Sequence, residues 1–272
     1  MALLDGTVAP ANDNPPTQFE TLTVVAAVLV VLTGAWGFFD ERTIEGALVW
    51  MKPFKFAVSF VALFATIALV ERQLSEPVRT GWLLYLTGIV MAAAFLAEMA
   101  YIIFQAAQAE ASHFNFATPF NEFMYTVVMA AGAVALVAAV GFIGFLAKRD
   151  KQANLSPALR ESIWLGFLSS FVLTLIVAGY MSGSGSHFVG VHPQGAPTLP
   201  LIGWSGVTGD LRPAHFLSLH AMQALPLLAL WLDQRNADHA ERTVRIAAGG
   251  YALVTLAIFA IALAGLPLVP MG

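Results

Sequence analysis

The sequence contains no cysteine, and this absence excludes several kinds of chemistry. Disulfide bonds, thiolate metal ligands, cysteine-held iron–sulfur clusters and cysteine nucleophiles all require a residue that the chain does not have. Covalent haem attachment through a C-x-x-C-H motif is excluded for the same reason. Any haem in this protein must therefore be bound non-covalently.

Charged residues are also scarce. They make up 11% of the 272 residues, whereas hydrophobic residues make up 58%, and the mean hydropathy is +0.74. A soluble domain usually carries about 25% charged residues. This composition, with repeated apolar runs near 20 residues, is typical of an integral membrane protein. The few basic residues are spread over short connections, so we expect no nucleic-acid partner.

Seven apolar stretches are long enough to cross a bilayer as helices. A helix rises about 1.5 Å per residue, and the hydrocarbon core is about 30 Å thick. The runs are continuous rather than alternating, which argues against a transmembrane β-barrel. The sequence therefore predicts an all-α, polytopic membrane protein of about seven transmembrane helices in contact with the lipid bilayer. The predicted spans are residues 19–39, 46–70, 80–108, 119–147, 161–182, 213–232 and 246–268.

The basic residues predict the orientation of the chain. Connections on one side hold Arg72, Arg79, Lys148, Arg149, Lys151, Arg160, Arg235, Arg242 and Arg245. The connections on the other side hold only Arg42 and Arg212. Because cytoplasmic loops carry the excess of Lys and Arg, we expect a cytoplasmic N-terminus and a periplasmic or extracellular C-terminus. The predicted location is a cell membrane, most simply the bacterial inner membrane.

The chain shows one membrane domain rather than several domains. Residues 1–18 are polar and are expected to form a disordered cytoplasmic tail, followed by a membrane domain over residues 19–272. One connection is long, residues 183–212, and it is rich in Gly, Ser and Pro. In that external loop, residues 187–191 and 199–204 are predicted to pair as a short hairpin that forms a lid.

The polar residues within the predicted spans fall mainly in the external half of the membrane. Lys52 and Lys55 are predicted about 9 and 13 Å along the second helix, and Glu98 about 15 Å along the third. An unpaired charge at the centre of a lipid-facing helix costs at least about 2.5–3.5 kcal/mol. We therefore expect these groups to face one another in a polar cavity that opens outward. The other predicted members of the cavity are Gln105, His113, Glu122, Arg212, His215, His220 and Gln223.

Helical spacing sharpens the expected contacts. Residues three, four or seven positions apart share a helix face, so Glu122, Tyr125 and Met129 are predicted to point inward together. Lys55 is predicted to pair with Glu98 or Glu122. His215 and His220 are separated by roughly 140° around one helix, which does not suit joint binding of one metal ion.

The favoured hypothesis is a membrane oxidoreductase that binds haem b or a divalent transition metal ion. Imidazole is the usual ligand of such centres, and the predicted ligands are His113, His215 and His220. In this hypothesis Glu98 and Glu122 are the catalytic, proton-handling carboxyl groups. The residues predicted to hold the cofactor are Lys52, Lys55, Gln105, Arg212 and Gln223. A small molecule or a quinone is the expected partner.

Two other function classes stay open. A cavity lined by Lys, Glu, His and Gln also suits a transporter or channel for a small anionic or proton-coupled substrate. A zinc-dependent intramembrane hydrolase is the third class, although the chain contains neither H-E-x-x-H nor G-x-S-x-G. The concentration of polar residues in one half of the membrane favours the cofactor-binding class, because transport requires a polar path from both sides of the membrane. The loop residues His187 and His192 are expected to be solvated or part of the lid.

Overall fold

Helices account for 69% of the protein in the computed structural model, which describes residues 15–44, 46–200 and 202–271. Seven of the helices are long and apolar enough to span a membrane, which confirms the predicted all-α, seven-helix membrane protein. Residues 1–14, which form most of the predicted N-terminal tail, lie outside the described residues.

The elements follow one another along the chain with mostly short connections, apart from the long one between α7 and α8. In order they are α1 (Gln18–Trp36), β1 (Thr43–Ile44), β2 (Ala47–Leu48), α2 (Met51–Gln73), α3 (Glu76–Arg79), α4 (Trp82–Ala107), α5 (Pro119–Phe123), a π-helical segment (Met124–Met129), α6 (Ala130–Arg149), α7 (Pro157–Gly183), β3 (Phe188–Val189), β4 (Gly209–Asp210), α8 (Arg212–Gln234) and α9 (Ala240–Leu263). α5, the π-helical segment and α6 form one span, Pro119–Arg149.

Helix starts follow from local capping chemistry. Thr17 and Glu20 form a capping box at α1, in which each side chain accepts a hydrogen bond from the backbone N–H of the other residue. The Ser156 side chain accepts from the backbone N–H of Leu159, and Pro157 occupies the first position of α7. Proline is suited to this position because its fixed φ matches the helix and its missing N–H is not needed. α7 therefore begins four residues before the predicted boundary at residue 161.

The second predicted span begins too early in the sequence. β1 and β2 pair as an antiparallel hairpin, with Thr43 opposite Leu48, and Gly46 has a φ of +82°. That positive φ suits glycine, which lacks the Cβ atom that would be strained there. Because α2 begins only at Met51, Lys55 lies about 6 Å from the helix start rather than the predicted 13 Å. The lysines therefore lie close to one end of the bundle.

The long connection before α8 is folded differently from the predicted hairpin. β3 pairs with β4, so that Phe188 lies opposite Asp210, rather than with residues 199–204. A separate turn is closed by a bridge between Thr198 and Ser205. The Asp210 carboxylate, which accepts from the Ser205 backbone N–H, joins the turn to β4. The sequence offered no signal for the two-residue strand Gly209–Asp210, because it lacks the β-branched and aromatic residues typical of strands.

Seven helices pack around an apolar core that is rich in phenylalanine. Phe60 and Phe64 of α2 meet Phe95 of α4, with ring centroids 4.7 and 5.1 Å from the Phe95 ring. α7 and α8 approach so closely at Gly166 that an added Cβ atom would lie 2.8 Å from the Ala221 carbonyl oxygen. α4 packs on α6, α6 on α7 and α7 on α8, whereas α2 and α8 are not closely packed along their backbones.

The two ends of the bundle differ in chemistry. We call the end that contains the starts of α2 and α8 the histidine end, and the opposite end, which contains most Lys and Arg residues, the basic end. At the basic end, Glu161 of α7 is buried and forms ion pairs with Lys148 of α6 and Arg245 of α9. The sequence analysis missed this three-helix link because Glu161 stood at a predicted span boundary.

Replacing Glu161 with leucine should lower the free energy of unfolding by about 1–3 kcal/mol. Hydrogen bonds to charged groups contribute about this much, and the partial exposure of both partners keeps the loss below that of a fully buried pair. The measurement is the thermal unfolding midpoint in detergent.

Glu241→Leu is the matched control, because exposed Glu241 contacts the same Arg245 one helical turn away. An exposed pair of this kind contributes at most about 0.5 kcal/mol. Equal shifts of the unfolding midpoint in both variants would contradict the link assigned to Glu161.

Candidate functional site

Polar side chains from four regions lie near one another at the histidine end of the bundle, and two of them, Lys52 and His113, are in direct contact. They come from the first turns of α2, the connection between α4 and α5, the connection between α7 and α8, and the first turns of α8. We call this group the histidine-end cluster; its members are Lys52, Lys55, His113, His187, Arg212 and His215. Five of these six residues were predicted to share a cavity, and His187 was predicted to be solvated or part of the lid.

The contact between Lys52 and His113 fixes the role of that imidazole. Lys52 Nζ lies 3.1 Å from His113 Nδ1. Because a lysine ammonium group only donates hydrogen bonds, Nδ1 must accept, and the proton of the neutral ring resides on Nε2. His113 Nε2 is then a hydrogen-bond donor and lacks the lone pair that a metal ion requires. Metal-bound histidines show the opposite pattern, with the second nitrogen donating to a carbonyl or carboxylate group.

Both loop histidines of the cluster are held in the neutral form. Burial, the positive charge of Lys52 and nearby His215 together hold the pKa of His113 well below its usual value. Burial, followed by the charge of Arg212, lowers the pKa of His187 to about 4. Phe114 and Phe188 flank His187, with ring centroids at 6.1 and 4.1 Å. At neutral pH these imidazoles therefore contribute hydrogen-bonding groups rather than charge.

Arg212 connects the cluster to the long α7–α8 connection. Its Nε and Nη2 atoms donate to both carboxylate oxygens of Asp210, and Nη2 also donates to the Gly203 carbonyl oxygen at 2.6 Å. The guanidinium group lies over the Phe188 ring, 5.2 Å from its centroid. Arg212 Nη1 makes no hydrogen bond within the described chain. Lys55 lies close enough to Arg212 for the two positive charges to repel each other.

A line of polar side chains leads from the cluster into the membrane between α2 and α8. Gln223 Nε2 donates to Thr66 Oγ1 at 3.1 Å, which leaves Gln223 Oε1 to accept from His220 Nδ1 at 3.3 Å. The network therefore assigns the proton to Nδ1 of His220 and a lone pair to Nε2. Ser59 lies seven residues before Thr66 on the same face of α2. We call Ser59, Thr66, His220 and Gln223 the α2–α8 seam.

His215 carries a polar atom that the described residues leave without a hydrogen bond. Its Nδ1 atom is shielded from solvent and has no partner in the described part of the chain. Buried polar atoms are nearly always satisfied by protein groups, water or a ligand. His215 lies near both His113 and His220. It therefore joins the cluster to the seam.

The structure separates the predicted carboxyl groups from the cluster. Glu122 lies on the exposed side of its helix, while Asn121, Tyr125 and Met129 are buried. The predicted shared face is therefore correct for Tyr125 and Met129 and wrong for Glu122. The π-helical segment has wider turns than an α-helix, so buried positions four apart, at 121, 125 and 129, replace the predicted pattern.

Glu98 is buried in the middle of α4, with 6% of its surface exposed. No ion pair joins it, or Glu122, to Lys55 among the described residues, so the predicted pairing is wrong. Gln105, on the same face of α4, donates to Asn121 Oδ1 and to the Ala111 carbonyl oxygen. Gln105 is thus occupied with holding the α4–α5 connection.

The described residues contain no group of three or more His, Asp or Glu side chains arranged to hold a metal ion. Cofactor binding by His113, His215 and His220 stays a prediction, and for His113 it requires the proton to leave Nε2. The sequence analysis missed Thr66, Asp210 and the hydrogen bond between Tyr125 and Ser182, which joins the π-helical segment to α7. Thr66 could have been found, because it continues the face of Lys52, Lys55 and Ser59.

No protein-family model, curated protein or solved structure matches the chain. Function must therefore be argued from the geometry of the cluster and the seam.

Lys52→Met should raise the pKa of His113. Removing the ammonium group removes a nearby positive charge that disfavours the imidazolium form, while burial continues to hold the pKa below its usual value. The measurement is a pH titration of ¹⁵N-labelled histidine by NMR, which also reports which ring nitrogen carries the proton.

Lys151→Met, at the opposite end of the bundle, is the control and should leave the His113 titration unchanged. A wild-type His113 that carries its proton on Nδ1, or that titrates with an ordinary histidine pKa, would contradict the assigned contact.

Proposed function

We propose that this protein is a membrane transporter for a small oxygen-containing anion, either a carboxylate or a phosphate. The observation that carries the proposal is the position of Lys55 and Arg212, two positively charged groups near each other at the end of the bundle from which the polar seam runs. An anion placed between them would replace repulsion with two attractions. Guanidinium and ammonium groups are the side chains that most often bind carboxylate and phosphate groups.

The other cluster members suit the same ligand. With its proton on Nε2, His113 offers a hydrogen-bond donor, which an anion accepts. The low pKa of His113 and of His187 keeps these rings neutral, so they add donors without adding to the repulsion. Asp210, the carboxylate nearest to Arg212, is already engaged by the Nε and Nη2 atoms of that guanidinium group. Its Nη1 atom remains available to a ligand.

The seam supports transport rather than binding alone. Thr66 lies about 22 Å along α2 from its start at Met51, beyond the middle of a hydrocarbon core of about 30 Å. Ser59, His220 and Gln223 precede it at smaller depths. The expected objection to transport was an apolar half of the bundle without a polar path. The seam supplies polar groups for much of that distance, at an interface where α2 and α8 do not pack closely.

Reconstituted protein should bind and take up [³²P]phosphate or [¹⁴C]succinate, the two probes of phosphate and carboxylate chemistry. Lys55→Met should weaken binding about tenfold or more, because hydrogen bonds to charged groups contribute about 1.5–3 kcal/mol. Gln223→Leu should slow uptake into proteoliposomes and leave binding in lipid nanodiscs unchanged, because Gln223 lies beyond the cluster.

Lys151→Met, which removes a lysine from the opposite end of the bundle, should change neither binding nor uptake. The proposal would be overturned if the wild-type protein bound neither phosphate nor succinate. Equal binding of the probes by the wild type and by Lys55→Met would contradict the anion-binding role proposed for Lys55.

Haem b or metal binding in a redox role is the second candidate function. It is favoured by His220, whose Nδ1 atom donates to Gln223 and leaves Nε2 with a lone pair, as in metal-bound histidines. The unsatisfied Nδ1 atom of His215 is a second nitrogen that needs a partner. Because His215 and His220 lie roughly 140° apart around α8, they do not suit one shared ion, and His220 is the ligand on which this candidate rests.

A visible absorption spectrum and metal analysis of the purified protein test this candidate. A bound haem or a stoichiometric metal ion that is lost in His220→Ala, and retained in His239→Ala at the basic end, would support it. The absence of both signals from the wild-type protein would leave the transporter as the proposed function.

A further inference from the structure

We propose that Glu98 is a proton-binding site inside the membrane, a neutral carboxylic acid that exchanges its proton with the histidine end of the bundle. This inference does not depend on the transported anion or on a cofactor. It rests on the burial of Glu98, on its lack of partners and on a string of hydrogen bonds that begins one helical turn away.

The surroundings of Glu98 disfavour a carboxylate anion. Its side chain is 6% exposed, about 14 Å from the end of α4 at Ala107. Its Oε1 atom has no hydrogen-bond partner in the described chain. An unpaired ionised carboxylate in an apolar interior is so costly that such a group takes up a proton instead. The neutral acid removes that cost and leaves a much weaker dipole.

The facing helix leaves room for the carboxyl group without offering it a charge. A Cβ atom added at Gly132 of α6 would lie 3.0 Å from Glu98 Oε1, so the carboxyl group occupies the space left by the missing side chain. The ionisable groups on the elements that pack against α4 are Glu20 of α1, Lys52, Lys55, Glu71 and Arg72 of α2, Glu76 and Arg79 of α3, Tyr125 of the π-helical segment, and Lys148 and Arg149 of α6. None of these groups forms an ion pair with the Glu98 carboxyl group among the described residues.

A string of polar groups connects this region to the surface at the histidine end. The Tyr101 hydroxyl, three residues and one turn from Glu98, donates to Asn121 Oδ1 at 3.3 Å. Gln105 Nε2 donates to the same oxygen, and Asn121 Nδ2 donates to Glu110 Oε2 at 3.3 Å. Tyr101, Gln105 and Asn121 are all at least 95% buried, whereas Glu110 is exposed.

Each buried polar group in an apolar bundle needs a hydrogen-bond partner, and these residues provide partners for one another. The string runs from an exposed carboxylate down to a tyrosine hydroxyl one turn above Glu98. Its amide groups do not carry protons themselves, but they line a polar path along which water can bring protons toward Glu98. The exchange itself is a protonation without redox chemistry: a proton leaves the Glu98 carboxylic acid for water at the histidine end, and one returns by the same route.

Infrared spectroscopy of the protein in lipid nanodiscs tests both parts of the proposal. The wild-type protein should show a carboxylic-acid C=O band at neutral pH that disappears in Glu98→Gln and persists in Glu122→Gln. On transfer to D₂O the band should shift as the proton exchanges. Tyr101→Phe should slow that shift severalfold, because it removes the hydroxyl that begins the string, and Tyr251→Phe on α9 should not.

Chemical labelling provides a readout that needs no variant. Dicyclohexylcarbodiimide, a hydrophobic reagent that modifies protonated carboxyl groups, should label Glu98 in the wild-type protein at neutral pH, as located by peptide mass spectrometry. An unlabelled Glu98, or a wild-type spectrum without the acid band, would overturn the proton site. Equal exchange in Tyr101→Phe and the wild type would overturn the route.

Discussion

The cost of an unpaired charge in hydrocarbon governs the arrangement of nearly every ionisable group in this bundle. A buried charge must be paired, neutralised by a proton, or placed where water reaches it. Glu161 is buried and satisfies the condition by pairing with two cations from neighbouring helices. Lys55 is exposed, near the start of α2. Glu98 has neither a partner nor exposure, which leaves protonation as its means of stabilisation.

The same constraint explains why the polar seam runs between α2 and α8. Long polar side chains do not fit between tightly packed helices. α7 and α8 meet so closely that glycine is needed at position 166, and the polar side chains between them are the small hydroxyl groups of Ser170, Thr174 and Ser218. α2 and α8 are instead joined through the side chains of Thr66 and Gln223. A looser interface tolerates larger polar groups, which is why the seam lies between these two helices.

Sequence patterns predicted the global architecture well because hydrocarbon thickness imposes a simple length requirement on apolar runs. They also identified most of the cluster, since Lys52, Lys55 and His215 are costly residues in such runs, and His113 and Arg212 lie in the connections beside them. Glu122 could not be placed correctly, because its predicted face assumed α-helical turns and the chain is π-helical over Met124–Met129. The depth of Lys55 was wrong because the β1–β2 hairpin, a short non-helical segment, delays the start of α2.

The spacing of residues along a helix could not predict their hydrogen-bond partners. Spacing indicates which residues share a face, but it does not give the partners that fix each proton. For His113 the partner is Lys52 of α2, and for His220 it is Gln223 of the same helix, whose amide group is oriented by Thr66 of α2. These contacts divide histidines that look equivalent in the sequence. His113 is left as a hydrogen-bond donor beside a lysine, and His220 is left with a lone pair beside a glutamine.

A high-resolution density map of the protein in lipid nanodiscs, at neutral pH, is the most direct measurement of the central claim. The account predicts that Lys55 and Arg212 turn toward each other, with water or a small anion between them, and that ordered water follows the seam toward Thr66. Acyl chains filling the space between Ser59 and His220, with Lys55 extended away to the lipid headgroups, would contradict it.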